Sequence, residues 1–169
     1  MKSKFYILAA ILFMACSCAS MKVTPEEQAR IAETVDQNIA QQHFTINVSH
    51  MYPLRGMSKH LSGTYCVEVD GEDIDSYLPY IGGVSGAIPY GGGKGLNFEG
   101  KIIGYESFYN ESEQRYEINM VVDSGEDTLY YSISVYSNAS AYVMVRSRIR
   151  DQISYSGEMD TRVKEEEKP

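Results

Sequence analysis

The chain has 169 residues, a net charge of −8, 43% hydrophobic residues and 22% charged residues. That length fits one domain with extensions, and a domain of about 150 residues buries about 68–70% of its unfolded surface, so its core needs no disulfide framework. The negative balance argues against nucleic acid and against electrostatic docking on anionic lipid, since both select Lys/Arg surfaces.

Lys2 and Lys4 precede an apolar run from Phe5 to Ala15. This run is too short to span a bilayer, which takes about 20 apolar residues, and it fits the core of an export signal. Small residues follow around two cysteines, in Ala15-Cys16-Ser17-Cys18-Ala19-Ser20. Here the chain resembles bacterial lipoprotein precursors, in which a Cys just after the cleavage site carries the lipid. Cys18 has Ala15 three residues back and is the expected attachment site. Cys16 is the alternative, disfavoured by the bulky Phe13 in that place. Lipidation would tether the domain rather than span the membrane. With no acidic residue after Cys18, the expected location is the periplasmic face of the outer membrane in the cell envelope.

After the tether, Thr24-Pro25-Glu26-Glu27 is a helix start: an N-cap, a Pro at the first helical position and a capping-box Glu. Ile31, Val35 and Ile39 recur at four-residue spacing and predict a helix to about Gln41 with one narrow apolar stripe. Phe44, Ile46 and Val48 then alternate with polar residues, as in a half-buried strand, and His50 and Tyr52 continue that parity. A second strand is expected from about Gly63 to Val69, closed by Asp70-Gly71. Phe44, Ile46, Val48, Tyr65, Val67 and Val69 are the expected core residues of these strands.

The stretch Tyr77-Leu78-Pro79-Tyr80-Ile81-Gly82-Gly83, running through Ile88-Pro89-Tyr90 to Gly95, is too rich in Gly and Pro for ordinary sheet. From there the chain reads as a meander. Strands are expected at Lys101 to Phe108, Tyr116 to Val122, Thr128 to Tyr136, Ala141 to Arg146 and Gln152 to Ser156, with polar turns between them. The expected class is mainly β: an antiparallel β-sandwich or open barrel, built as a meander, with one N-terminal helix. The expected divisions are a signal at 1–17, tether and helix at 18–42, the β domain at 43–157 and a disordered charged tail at 158–169.

Little of this carries catalytic chemistry. Once the signal is cleaved at Cys18, Cys66 is the one remaining thiol besides the lipidated residue, and neighbouring Glu68 raises rather than lowers its pKa. Gly91 to Gly95 lacks phosphate-loop spacing, because Ile88 stands where the first Gly is needed and Gly95 follows Lys94. The acidic cluster Asp70, Glu72, Asp73 and Asp75 lacks the EF-hand order, and His43, His50 and His60 lack zinc-finger spacing. No metal, cofactor or catalytic group is therefore expected. The best interaction candidates are Tyr77, Pro79, Tyr80, Pro89 and Tyr90, since rigid aromatic and Pro groups between Gly hinges make suitable anchors. The competing reading is that these rings close one end of the sheet as packing residues.

Three segments bear a family likeness: Leu54-Arg55-Gly56-Met57-Ser58-Lys59-His60-Leu61, Tyr77-Leu78-Pro79-Tyr80-Ile81-Gly82 with Ile88-Pro89-Tyr90, and Gln152-Ile153-Ser154-Tyr155-Ser156-Gly157. Together they resemble the Bacteroidetes lipoprotein family known as domain of unknown function 4251. The resemblance implies an exported, lipid-anchored, mostly β domain and brings no activity with it. The expectation is a non-enzymatic binding module for an unknown small ligand or envelope protein. A structural or assembly partner of an envelope complex is the alternative, and an enzyme ranks last.

Overall fold

The computed structural model describes residues 23–83 and 95–162. One helix, α1 (Pro25–Ala40), precedes eight strands: β1 (His43–Pro53), β2 (Lys59–Asp70), β3 (Asp73–Leu78), β4 (Leu96–Asn110), β5 (Arg115–Asp123), β6 (Thr128–Tyr136), β7 (Ser140–Ser147) and β8 (Ile153–Met159). Every neighbouring pair is antiparallel, and β8 returns to β1, so the meander is a closed barrel. The expected sandwich or open barrel is thereby corrected.

Closure depends on the end of the chain. β8 runs past the expected limit at Ser156 to Met159, which is buried and pairs with Ile46 on β1. Asp160 then donates its N–H to the Thr45 carbonyl. Gly157 faces Val48 across the same seam, where a Cβ would collide with the Asn47 carbonyl oxygen. A glycine there lets the first and last strands approach, and the closed ring leaves neither as a full-length free edge.

An eight-stranded barrel is just wide enough for side chains to fill. Ile46, Val67, Ile118, Ile133, Val143 and Tyr155 are among those that fill this one, each with no exposed surface. Glu99, Lys101, Asn119 and Arg146 stand exposed on the wall. Apolar inside and polar outside is the inverse of a membrane-spanning barrel.

The helix is built as its sequence predicts. The Thr24 side chain accepts from the Glu27 N–H at 3.2 Å, and Pro25 opens the first turn. Val35 and Ile39 are buried in the same cluster as Phe44, with Ile31 packed against it. Asn38 reaches the Asp160 carbonyl beyond β8. Helix packing and barrel closure therefore meet at one end.

Strand parity departs from expectation at Ser49. A bulge lies between Val48 and His50, and both neighbouring ladders shift register there. The extra residue reverses the alternation, so Met51 is buried while Tyr52 is 40% exposed. The expected inward placement of His50 and Tyr52 is thereby corrected. β3 also goes beyond the sequence reading. Ile74, Ser76 and Leu78 point inward between Asp73, Asp75 and Tyr77, so part of the acidic cluster is the outer row of a strand. Tyr77 and Leu78 belong to this strand and not to the Gly/Pro segment. Only the tight turn around Gly71, at φ +60°, keeps the character of an acidic loop.

Candidate functional site

The end of the barrel away from α1 is closed by side chains and by the chain leaving β3. Tyr155 is fully buried, and its hydroxyl donates to the Pro79 carbonyl at 2.7 Å. One layer deeper, Ser76 donates to the Leu96 carbonyl at 2.8 Å, which leaves its oxygen to accept from Tyr131 at 3.0 Å. Burial pushes both tyrosine hydroxyls well above their ordinary pKa, with the Ser76 hydrogen bond offsetting part of the effect at Tyr131. These rings are neutral packing groups whose single polar atoms are satisfied.

Tyr80 lies above them. Its hydroxyl is 2.8 Å from the Gly83 carbonyl and 3.2 Å from the Asp151 carbonyl, and one proton serves both. Burial, then the Asp151 charge, raises its pKa, against the hydrogen bond to the Asp151 backbone and the nearby Arg150. The Arg150 guanidinium carbon is 5.6 Å from the Tyr80 ring centre, within cation–π range. Beneath the ring, the gap lined by Leu96, Leu129, Val145 and Ile153 has no room for a water molecule.

Two consecutive residues of the β7–β8 connection hold the two flanks of segment 84–94. Asp151 accepts the Gly83 N–H on Oδ2 at 3.0 Å, and its own N–H donates to the Gly83 carbonyl at 3.0 Å. Arg150 Nη1 donates to the Gly95 carbonyl at 3.2 Å. Gly95 adopts φ +70°, and a Cβ there would stand 2.9 Å from the Leu78 carbonyl oxygen, so glycine suits this turn doubly. Behind it, Arg150 Nε faces the Asp127 carboxylate at 3.9 Å, both largely buried.

Among the expected anchors, then, Tyr80 is packed against the core at the barrel end, and Pro79 takes part through its carbonyl. Tyr77 is different: it is 47% exposed on the outer wall, and its ring stacks on Tyr65 at 5.4 Å and 19°. Tyr65, expected in the core, is only partly buried. Pro89 and Tyr90 lie outside the described residues, as do Cys16 and Cys18. The structure does not bring Tyr77 and Tyr80 onto one face. Cys66 lies on the outer face of β2, where burial, then Asp75 and Glu68, push its thiol pKa up. That is the expected direction, with burial the larger cause, and it makes a poor nucleophile.

The sequence reading missed Arg150 and Asp151 as site residues. Asp151 is 68 positions from Gly83, and no local pattern links them. Among the described residues no helix is long and apolar enough to cross a membrane.

The model of the domain of unknown function DUF4251 matches residues 26–159, from the first turn of α1 to the last residue of β8. The chain belongs to the DUF4251 family. A crystal structure of a DUF4251 family protein from Bacteroides eggerthii DSM 20697 shares the fold, with a TM-score of 0.59 at 11% identity. That match covers 78% of this chain and 87% of the other. No curated protein matches the chain. For this DUF4251 chain the matched span takes in the clamp residues Arg150 and Asp151, both flanks, Gly83 and Gly95, and Tyr77.

Proposed function

We propose that this chain is a non-enzymatic binding module of the cell envelope, tethered at the periplasmic face of the outer membrane by a lipid on Cys18. Its partner in this reading is an envelope protein. The observation that carries the proposal is the contrast between a filled barrel and an exposed ring beside its closed end. With the interior occupied by side chains and Tyr80 packed over it, recognition falls to the outer wall. There Tyr77 presents its ring on the support of Tyr65, so little side-chain entropy remains to be lost on contact. Stacked, half-exposed tyrosines are suitable contact groups for a protein surface. The raised thiol pKa of Cys66 adds to the case against covalent chemistry.

A photo-crosslinking residue at position 77, in cells that export the lipidated chain, tests this. A discrete crosslinked envelope protein is expected, absent when the same residue replaces exposed Glu111 in the β4–β5 turn, at the helix end of the barrel. Equal, diffuse labelling from both positions would reject the site.

The assembly reading has one observation of its own. Beyond Ile102, whose N–H donates to the Glu72 carbonyl, β4 continues among the described residues paired with β5. This edge leaves Ile103 65% and Phe108 49% exposed. An uncovered apolar edge is suited to strand addition. Lys at both positions would abolish an assembly built on that edge and leave the position-77 crosslink intact.

A further inference from the structure

The bulge at Ser49 has a second effect. It turns His50 out of the barrel and sets it beside His60 on β2, its register partner. His50 Nε2 and His60 Nδ1 are 3.4 Å apart, and the rings meet edge-on with centres 4.9 Å apart. The geometry points to a two-histidine site for a late first-row divalent cation such as Zn2+.

Three observations support it. Two nitrogens each about 2.0–2.1 Å from one zinc, at a tetrahedral angle, stand about 3.3–3.4 Å apart. The observed separation matches that bite. Second, Ser49 Oγ stands behind His50, 3.1 Å from its Nδ1 and 3.4 Å from the Ser156 carbonyl oxygen. When the hydroxyl donates to that carbonyl, His50 Nδ1–H donates to Oγ and Nε2 carries the free lone pair. Metal-bound imidazoles are commonly oriented by such a bond on the second nitrogen. Third, backbone pairing sets the two rings side by side, since His50 and His60 are register partners where the β1–β2 ladder resumes after its shift.

In that tautomer His60 Nδ1–H donates to His50 Nε2. To ligate, His60 moves that proton to its own Nε2 by exchange with water, and both lone pairs then converge on the cation. Among the described residues no group of three or more His, Cys, Asp and Glu side chains is placed to hold a metal ion. The two remaining positions belong to water or to an exchangeable ligand. Imidazole donors favour Zn2+, Cu2+ and Ni2+ over Mg2+ or Ca2+.

The test is calorimetric titration of the full mature chain, carrying no histidine tag, with ZnCl2 and separately with MgCl2. One zinc per chain and no magnesium response are expected. His50→Ala and His60→Ala should each remove zinc binding with the circular dichroism spectrum unchanged. His43→Ala, whose ring pairs with Asp70 at the start of β1, should bind as the native chain does. Ser49→Ala should weaken binding about tenfold, as loss of an orienting partner does. Should either His variant fold poorly, imidazole resonances of the native chain give the same answer, with two of the three rings shifting on zinc addition. Zinc binding retained in the double variant, or absent from the native chain at millimolar zinc, would overturn the assignment.

Discussion

Gly83 and Asp151 grip each other twice: each backbone N–H is matched by an oxygen of the other residue, both at 3.0 Å. This reciprocal pair fixes the β3 exit to the β7–β8 connection. Asp151→Ala removes one of the two bonds and leaves the other, which is backbone to backbone. A net loss of about 1–2 kcal/mol is expected in urea denaturation, since the remaining N–H of Gly83 is exposed to water. Asp151→Asn keeps an acceptor oxygen and should recover most of that loss.

Gly157 marks the seam that closes the barrel. Gly157→Ala places a methyl against the Asn47 carbonyl, so β1 and β8 must part. A loss of about 1–3 kcal/mol or more is expected, with the thermal midpoint the readout. Gly104→Ala is the matched control. Its added methyl would meet only Val121 side-chain atoms at ordinary contact distance, 3.5 and 3.6 Å. Equal tolerance at both positions would contradict the account of closure.

Much of this barrel is legible in the sequence, and the failures have physical causes. β6 is found at Thr128–Tyr136 because buried Leu129, Tyr131, Ile133 and Val135 alternate without interruption. β3 is obscured by Asp73 and Asp75, whose charges suggest a loop but stand on the outer row of a strand. The reversal at Ser49 is a register effect between three strands, and the residues of β1 alone do not encode it. The placement of His50 next to His60 follows from that same bulge. Tyr77 and Tyr80 look like one motif in the chain, yet they separate because β3 ends between them at Leu78. The Arg150–Asp151 clamp spans distant segments and has no local signature.

The buried tyrosines set the alkaline limit. Tyr131 and Tyr155 have folded pKa values above the ordinary value of 10.0, so their contribution is complete below pH 10 and is lost as pH rises beyond it. Absorbance at the tyrosinate band should rise in more than one step. A second, cooperative rise should coincide with loss of the circular dichroism signal. A single smooth titration centred near 10 with the fold retained would count against the buried network.

The thiol of Cys66 gives a milder test. Its raised pKa predicts slow alkylation by iodoacetamide at neutral pH, slower than for the same chain in urea. Asp75→Asn and Glu68→Gln should each speed the reaction modestly, because burial is the larger cause and the two charges the smaller. A native rate at or above the unfolded rate would contradict the assigned environment.

The central claim divides two neighbouring tyrosines into a packing ring and a presenting ring. Urea denaturation of Tyr80→Ala and Tyr77→Ala, measured side by side with the position-77 crosslink partner added back, tests it most directly. Tyr80→Ala should cost about 2–4 kcal/mol, through lost packing and the two carbonyl contacts. Tyr77→Ala should cost about 0.5–1.5 kcal/mol, mainly the stacking on Tyr65, and should abolish partner binding. A Tyr77→Ala chain that loses several kcal/mol or still binds its partner, beside a Tyr80→Ala chain of native stability, would contradict the division.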